Sequence, residues 1–330
     1  MESPWAGWAG DDFKPTLQPY PGFNADEDCK TLKTAMKGLG TDEQAIIDVL
    51  GHRTTYQRLQ IVDRYKTLYG KDLMHALKSE LSGNFEKAIL ALCLPPSEYD
   101  ATELHNAIKG GGTDEDTLIE IICSRTNAQI AKIKEAYSRL FDGASLEEDI
   151  ANDTSGSFKH VMISLLQGNR SESAVVNKEE ALKDAEDLMR AGVQEIGTDE
   201  SVFNRILCTK SPRQVRAVMK QYLRIAGHSL EDALKEEMSG ETLRAFLAIA
   251  RVMENKPRYF ALQLKKSMEG GGTTDSSLIR IIVSRCETDM GIIKEEFDKA
   301  NEQPLEEWIA GDTSGDYKHL LLALIGCGKN

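Results

Sequence analysis

The chain has 330 residues, of which 41% are hydrophobic and 28% charged, and it carries a formal net charge of −13. This is the composition of a soluble globular protein, long enough for one large domain, two ordinary ones or a repeat array. The acidic balance argues against nucleic acid, which selects a basic face. It also argues against unaided docking on an anionic membrane, although a multivalent cation would reverse that objection. No apolar run reaches the roughly 18 residues of a membrane-spanning helix. The N-terminus lacks the basic stretch and apolar core of a secretory signal. The six cysteines (Cys29, Cys93, Cys123, Cys208, Cys286 and Cys327) are scattered without a CxxC pair, the pattern of reduced thiols in a cytosolic protein.

In chain order, residues 1–23 (MESPWAGWAGDDFKPTLQPYPGF) come first. They are too rich in Pro and Gly for an amphipathic helix, and Trp5 and Trp8 are candidate anchors for this segment or contacts for a protein partner. The string AMKGLGTDEQAII (Ala35 to Ile47) follows, and it returns three times: AIKGGGTDEDTLIEII (107–122), MRAGVQEIGTDESVFNRIL (189–207) and SMEGGGTTDSSLIRII (267–282). Behind each copy comes a second string with an acid, one spacer and Ser-Gly: KSELSGNF, ANDTSGSF, KEEMSGET and AGDTSGDY. Thr41 to Glu80, Thr198 to Glu237 and Thr273 to Asp312 are each 39 positions, and Thr113 to Asp153 is 40. The extra residue is expected in the turn FDGAS (141–145). The polar stretch QGNRSESAVVNKEE (167–180) reads as a linker between halves.

Within each unit the pattern is helical. Ala45, Ile46, Val49 and Leu50 line one face; YQRLQIVDRYKTLYG continues the period and stops at Gly70; two short helices flank Ser82-Gly83. With the helix before the first glycines, each unit has about five helices and no strand alternation. Units of roughly 70 residues exceed the known short helical repeats, so each is read as a small bundle.

The glycine loop has a bland reading, a turn with Thr41 as N-cap and Gln44 completing a capping box. The second string favours another. An acid at a helix C-terminus opposes the macrodipole, and four such acids at a fixed distance from a glycine loop require a reason. Calcium supplies one, because it takes six to eight oxygens and mixes backbone carbonyls with carboxylates. Three carbonyls and two carboxylate oxygens leave positions for water or a lipid phosphate. No P-loop, EF-hand, HExxH or Gly-x-Ser-x-Gly motif occurs, and the six histidines lack metal-ligand spacing. Cys123 and Cys208 share the repeat position of Gly51 and Val283, which speaks for buried packing. No nucleophile or base suggests an enzyme.

These residues resemble the annexin family over about residues 24–327, and SRTNAQIAKIKEAY and GDTSGDYKHLLLALIG are also similar to annexin sequence. The resemblance implies an all-α, slightly curved disc of four homologous repeats, with the first and fourth packed together and likewise the second and third. It divides the chain into a variable segment 1–23, repeats at 24–95 and 96–168, a linker at 169–179, and repeats at 180–255 and 256–330. The implied Ca2+ ligands are the carbonyls of Met36, Gly38 and Gly40 with Glu80; Ile108, Gly110 and Gly112 with Asp153; Gly192, Glu195 and Gly197 with Glu237; and Met268, Gly270 and Gly272 with Asp312. Ile196 stands at the tip of the third loop, where some annexins carry Trp. Glu43, Glu115, Glu200 and Asp275 are either secondary calcium ligands or ordinary first-turn acids. By position, Asp100 with Arg125 and Glu120 with Arg280 match a polar channel between the halves and are expected as buried pairs that fix how the halves pack. The implied function is calcium-dependent, reversible binding to anionic, phosphatidylserine-like membranes by a cytoplasmic, non-enzymatic protein. Oligomerisation on membranes is expected by family likeness only. The alternative is a helical protein-interaction scaffold with structural loops.

Overall fold

The computed structural model describes residues 13–38, 40–193 and 199–327, and among them the only regular structure is helical. The first repeat comprises α1 (Ala25–Ala35), α2 (Glu43–Leu50), α3 (Thr55–Tyr69), α4 (Leu73–Glu80) and α5 (Gly83–Leu92). The second comprises α6 (Pro96–Ile108), α7 (Glu115–Ser124), α8 (Asn127–Leu140), α9 (Leu146–Asp153) and α10 (Gly156–Leu166). The third holds α11 (Lys178–Val193), α12 (Glu200–Thr209), α13 (Pro212–Ala226), α14 (Leu230–Glu237) and the first limb of α15 (Gly240–Met268). The second limb of α15 opens the fourth repeat, followed by α16 (Asp275–Arg285), α17 (Met290–Ala300), α18 (Leu305–Asp312) and α19 (Gly315–Leu324). The limbs separate at Asn255, where φ is −154° and ψ 97°. Pro257 cannot donate to the preceding turn, and the Asn255 side chain accepts from Arg258 N at 3.0 Å, capping the second limb. Each repeat therefore has five helical segments.

Local chemistry explains the boundaries. Asn24 accepts from the amides of Asp26 and Glu27 to start α1, and Ser211 followed by Pro212 starts α13. Both choices satisfy or remove otherwise orphaned first-turn N–H groups. In each repeat the buried faces converge on a core of its own, in which Tyr65, Tyr137, Tyr222 and Phe297 hold equivalent places, each no more than 1% exposed. Cys123 and Cys208 are buried, and burial pushes the Cys208 thiol up to about 12. This keeps it protonated and unreactive.

A buried ion pair recurs in register. Arg53 makes a bidentate bond with Asp28, both at 2.8 Å, and Arg125 does the same with Asp100 at 2.7 and 2.9 Å. In the third repeat Lys210 stands 3.3 Å from Asp184. In the fourth, Phe260 occupies the acid's place. Arg285 lies over its ring at 4.8 Å and turns to Asp289 at 2.7 Å. The Asp100–Arg125 pair thus ties α6 to the end of α7 inside one repeat and has a counterpart in the first. This corrects the expectation that it fixes the packing of halves. Glu120 and Arg280 are each buried, at 2% and 1% exposure.

The chain divides into two compact units, one of residues 1–99 with 260–330 and one of residues 100–259. Residues 167–180 lie within the second unit and do not separate the two. In the first unit, repeats one and four meet through a buried cluster. Glu287 Oε1 accepts from the Thr55 amide and hydroxyl, both at 2.7 Å, and from Arg58 Nη2 at 2.9 Å. An acid from the fourth repeat therefore caps the first turn of α3. The segment before α1 crosses the same two repeats. Lys14 N donates to Thr288 O, Thr16 N to Cys286 O and Gly291 N back to Lys14 O. Tyr20 and Gln57 exchange two 3.0 Å bonds, and the Arg53 guanidinium covers the Tyr20 ring at 3.6 Å. Trp5 and Trp8 lie outside the described residues.

Candidate functional site

Each glycine loop is closed by one backbone bond. Asp42 N donates to Ala35 O at 2.9 Å, Asp114 N to Ala107 O at 2.8 Å, Asp199 N to Ala191 O at 3.0 Å and Thr274 N to Ser267 O at 2.7 Å. The first, second and fourth closures span seven positions and the third spans eight, which accounts for the different third string. Inside these loops the glycines sit at φ values only glycine adopts freely: 114° and 89° at Gly38 and Gly40, 128° and 147° at Gly110 and Gly112, 106° and 154° at Gly270 and Gly272. Glycine at such φ values lets the loop backbone turn where a side chain would be strained.

The residue that closes each loop, and not the threonine before it, is the N-cap of the next helix. Asp42, not Thr41, is the N-cap of α2, accepting from Ala45 N at 3.0 Å. Asp114 and Asp199 cap α7 and α12. A carboxylate is the stronger acceptor at a helix N-terminus because it also meets the positive end of the macrodipole. Gln44 bonds to Asp48 at 2.7 Å and forms no capping box. The threonine hydroxyls are free to reach the second string. Thr113 Oγ1 donates to Asp153 Oδ2 at 2.6 Å, Thr273 Oγ1 donates to Asp312 Oδ2, and Thr41 Oγ1 stands 3.5 Å from Glu80 Oε2.

The four acids occupy one structural place. Glu80, Asp153, Glu237 and Asp312 are each the last residue of an eight-residue helix. Ser-Gly then turns the chain into the next helix, with φ near 60° at Gly83, Gly156, Gly240 and Gly315. The extra residue of the second repeat is absorbed between Phe141 and Ser145, where Asp142 takes φ 53°. Asp153 therefore ends α9 as its equivalents end their helices. Glu80 is exposed and the other three are half-buried. In the third repeat a Cβ on Gly192 would lie 3.3 Å from Glu237 Cγ, so loop and acid are in contact there too. Glu195, Ile196 and Gly197 lie outside the described residues.

Among the described residues no three His, Cys, Asp or Glu side chains are placed to hold a metal together. A cation here must draw on backbone oxygen, and the glycine-turned loops beside a single carboxylate offer that donor set, which suits a hard ion such as calcium. A cavity of about 350 Å³ adjoins Glu80, lined also by Ser82, Asn84, Ser314 and Asp316. One of about 290 Å³ adjoins Ile108 and Asp153, lined also by His105, Lys109 and Asn152. Glu43, Glu115, Glu200 and Asp275 each open a helix, where an acid complements the macrodipole. The threonine-to-acid bond was readable as the near-constant offset of 39 or 40 residues, but a capping role for Thr competed with it. In a chain whose other three acids are amides, T113V is expected to raise the calcium concentration that half-fills the second site about fivefold, for about 1 kcal/mol of lost bond. Calorimetric calcium titration measures it; no change would show that Asp153 needs no such support.

The annexin family pattern matches residues 27–92, 99–165, 183–249 and 259–324. Human annexin A13 is 49% identical over 304 residues, covering 92% of this chain and 96% of the relative. The structure of annexin III superposes with a TM-score of 0.93 at 39% identity, over 96% of this chain and 98% of that one. A calcium-bound annexin (Sm)1 gives a TM-score of 0.86 at 31% identity, over 100% and 96%. The chain belongs to the annexin family, whose general property is calcium-dependent phospholipid binding. No helix among the described residues is long and apolar enough to cross a membrane.

Proposed function

We propose that this protein binds anionic phospholipid surfaces reversibly through calcium ions shared between its loops and lipid phosphates. The observation that carries the reading is the repeated juxtaposition of a glycine-turned loop with one helix-terminal carboxylate. Met36, Gly38 and Gly40 with Glu80 would hold one ion. Ile108, Gly110 and Gly112 with Asp153 would hold a second, and Met268, Gly270 and Gly272 with Asp312 another. Gly192, Glu195 and Gly197 with Glu237 are the proposed ligands of the third repeat. Bound calcium supplies positive charge at the loops of a chain that carries −13 and would otherwise repel phosphate. The calcium-bound state described for annexin (Sm)1 supports the choice of ion. Several weak sites acting together give a steep calcium response through effective concentration. The protein is proposed to act by binding alone, in the cytoplasm and peripherally at membranes.

Co-sedimentation with phosphatidylserine vesicles over a calcium series, followed by chelator, tests the reading. Binding that appears with calcium and reverses on chelation is expected. A folded protein that stays in the supernatant at about 1 mM calcium, the weak end of protein calcium sites, would leave the loops as structural turns of a scaffold.

A single loop glycine gives a smaller, local readout. G110A places a side chain at φ 128°, which only glycine tolerates without strain. The variant is expected to keep its helices by circular dichroism and to need severalfold more calcium at the second site, for about 1 kcal/mol of strain. An unchanged titration would detach that carbonyl geometry from binding.

A further inference from the structure

The third repeat carries a surface feature outside the loops. Helix α13 contains Arg213, Arg216, Lys220 and Arg224 and no acid. Its equivalents are mixed: α3 has Asp63 among its cations, α8 has Glu135, and α17 has Glu295, Glu296 and Asp298. At 100° per residue the four cations fall on one stripe, and they extend over about 16 Å of helix. Arg213, Lys220 and Arg224 are exposed. Leu223, on the edge of the same stripe, is 52% exposed. Arg216 keeps one guanidinium N–H on Met253 O at 2.8 Å.

Nearby acids are committed elsewhere. On α11, which packs along α13, Glu180 and Asp184 are held by Lys210, and Asp187 by Arg190 and Arg205. Glu231 on α14 is held by Arg251. Glu179 and Glu186 are exposed and, like every other described acid, form no ion pair with Lys220 or Arg224. A helix without an acid, on which Lys220 and Arg224 form no ion pair, is a local reversal of sign in a chain of net charge −13.

We propose that this face of α13 docks an acidic protein segment whose carboxylates meet Arg216, Lys220 and Arg224 and whose apolar side chain covers Leu223. Charge complementarity selects an anionic partner. The overall charge of −13 disfavours an extended polyanion or an anionic bilayer, which would feel the whole molecule, more than a short peptide that meets only the stripe. The single aromatic of α13, Tyr222, is buried, so no ring is offered for base stacking, which single-stranded nucleic acid would use.

The test is fluorescence anisotropy of a labelled peptide of repeating Glu-Glu-Leu-Glu, about four helical turns long, titrated with the full chain in chelator at low salt. Saturable binding that weakens as salt rises is expected. K220E combined with R224E should weaken it on the order of thirtyfold, because two attractive contacts become repulsive, and L223S severalfold. Both variants should retain the parent's thermal midpoint and its calcium-dependent sedimentation with vesicles, which separates this face from the loops. Absence of binding, equal binding of a peptide with Gln for Glu, or equal binding by the charge-reversed variant would overturn the proposal. Tighter capture of oligothymidylate or of phosphatidylserine vesicles in chelator, with the same variant sensitivity, would overturn it in favour of nucleic acid or a bilayer.

Discussion

The variant carrying E80Q, D153N, E237Q and D312N is expected to lose calcium-dependent sedimentation with phosphatidylserine vesicles up to about 1 mM calcium. In the proposed sites each carboxylate is the single charged ligand. An amide keeps the shape and one carbonyl oxygen but removes the charge that favours a divalent cation over water. Changing one acid alone is expected to raise the calcium needed at that site on the order of tenfold or more, with a smaller shift in the overall curve because the remaining sites share the load. The same variant is not expected to unfold. All four acids stand at helix C-termini, where negative charge is unfavourable by about 0.3–1 kcal/mol each. The Thr113 and Thr273 hydroxyls can still donate to an amide oxygen, in a weaker bond than to the carboxylate. In chelator, the thermal midpoint should therefore stay level or rise. A fall of many degrees would mean that the acids hold the fold and that the lost sedimentation says nothing about calcium.

The second large effect concerns stability. E287A is expected to destabilise the protein by about 3–5 kcal/mol, the usual consequence of stranding one charge of a buried pair. Arg58 and Glu287 both have side chains 1% exposed. Removing the acid leaves the Arg58 guanidinium without its counter-charge and the first amide of α3 without its acceptor. The remaining bonds, such as Arg58 Nε to Leu92 O at 2.6 Å, neutralise no charge. Urea unfolding of the calcium-free chain measures the loss. The variant R58M/E287L should recover much of it, because an apolar pair of similar volume replaces a desolvated ion pair at little net cost. Equal stability of E287A and the parent would show that the pair contributes no coupling between the first and fourth repeats.

Much of the fold was legible because its determinants are local. The four strings, the stop at Gly70 and the apolar period of each unit are properties of neighbouring residues, and they predicted five helices per repeat, as found. The chain offset between Thr113 and Asp153 already contained their contact, although a threonine before Asp-Glu also fits a helix cap. Asp42 took that cap because its carboxylate is the better acceptor one residue later, a competition that pattern alone left open. The third string differs from the others, but that its loop closes over eight positions and not seven came from the backbone bond of Asp199 to Ala191.

What the amino-acid sequence determined alone was the repeat, the helical punctuation, the carboxylate beside each glycine loop and membership of the annexin family. The tertiary structure decided which partner each polar group takes. It set Glu287 on Thr55 and Arg58 across 229 positions or more, sent Arg285 to Asp289 where Phe260 replaces the expected acid, and laid residues 14–20 over the first and fourth repeats. Helix period and capping depend on residues three or four apart, so they can be read along the chain. A buried charge must find its counter-charge among whatever side chains the packed helices bring within about 3 Å, and that choice exists only after the helices have packed.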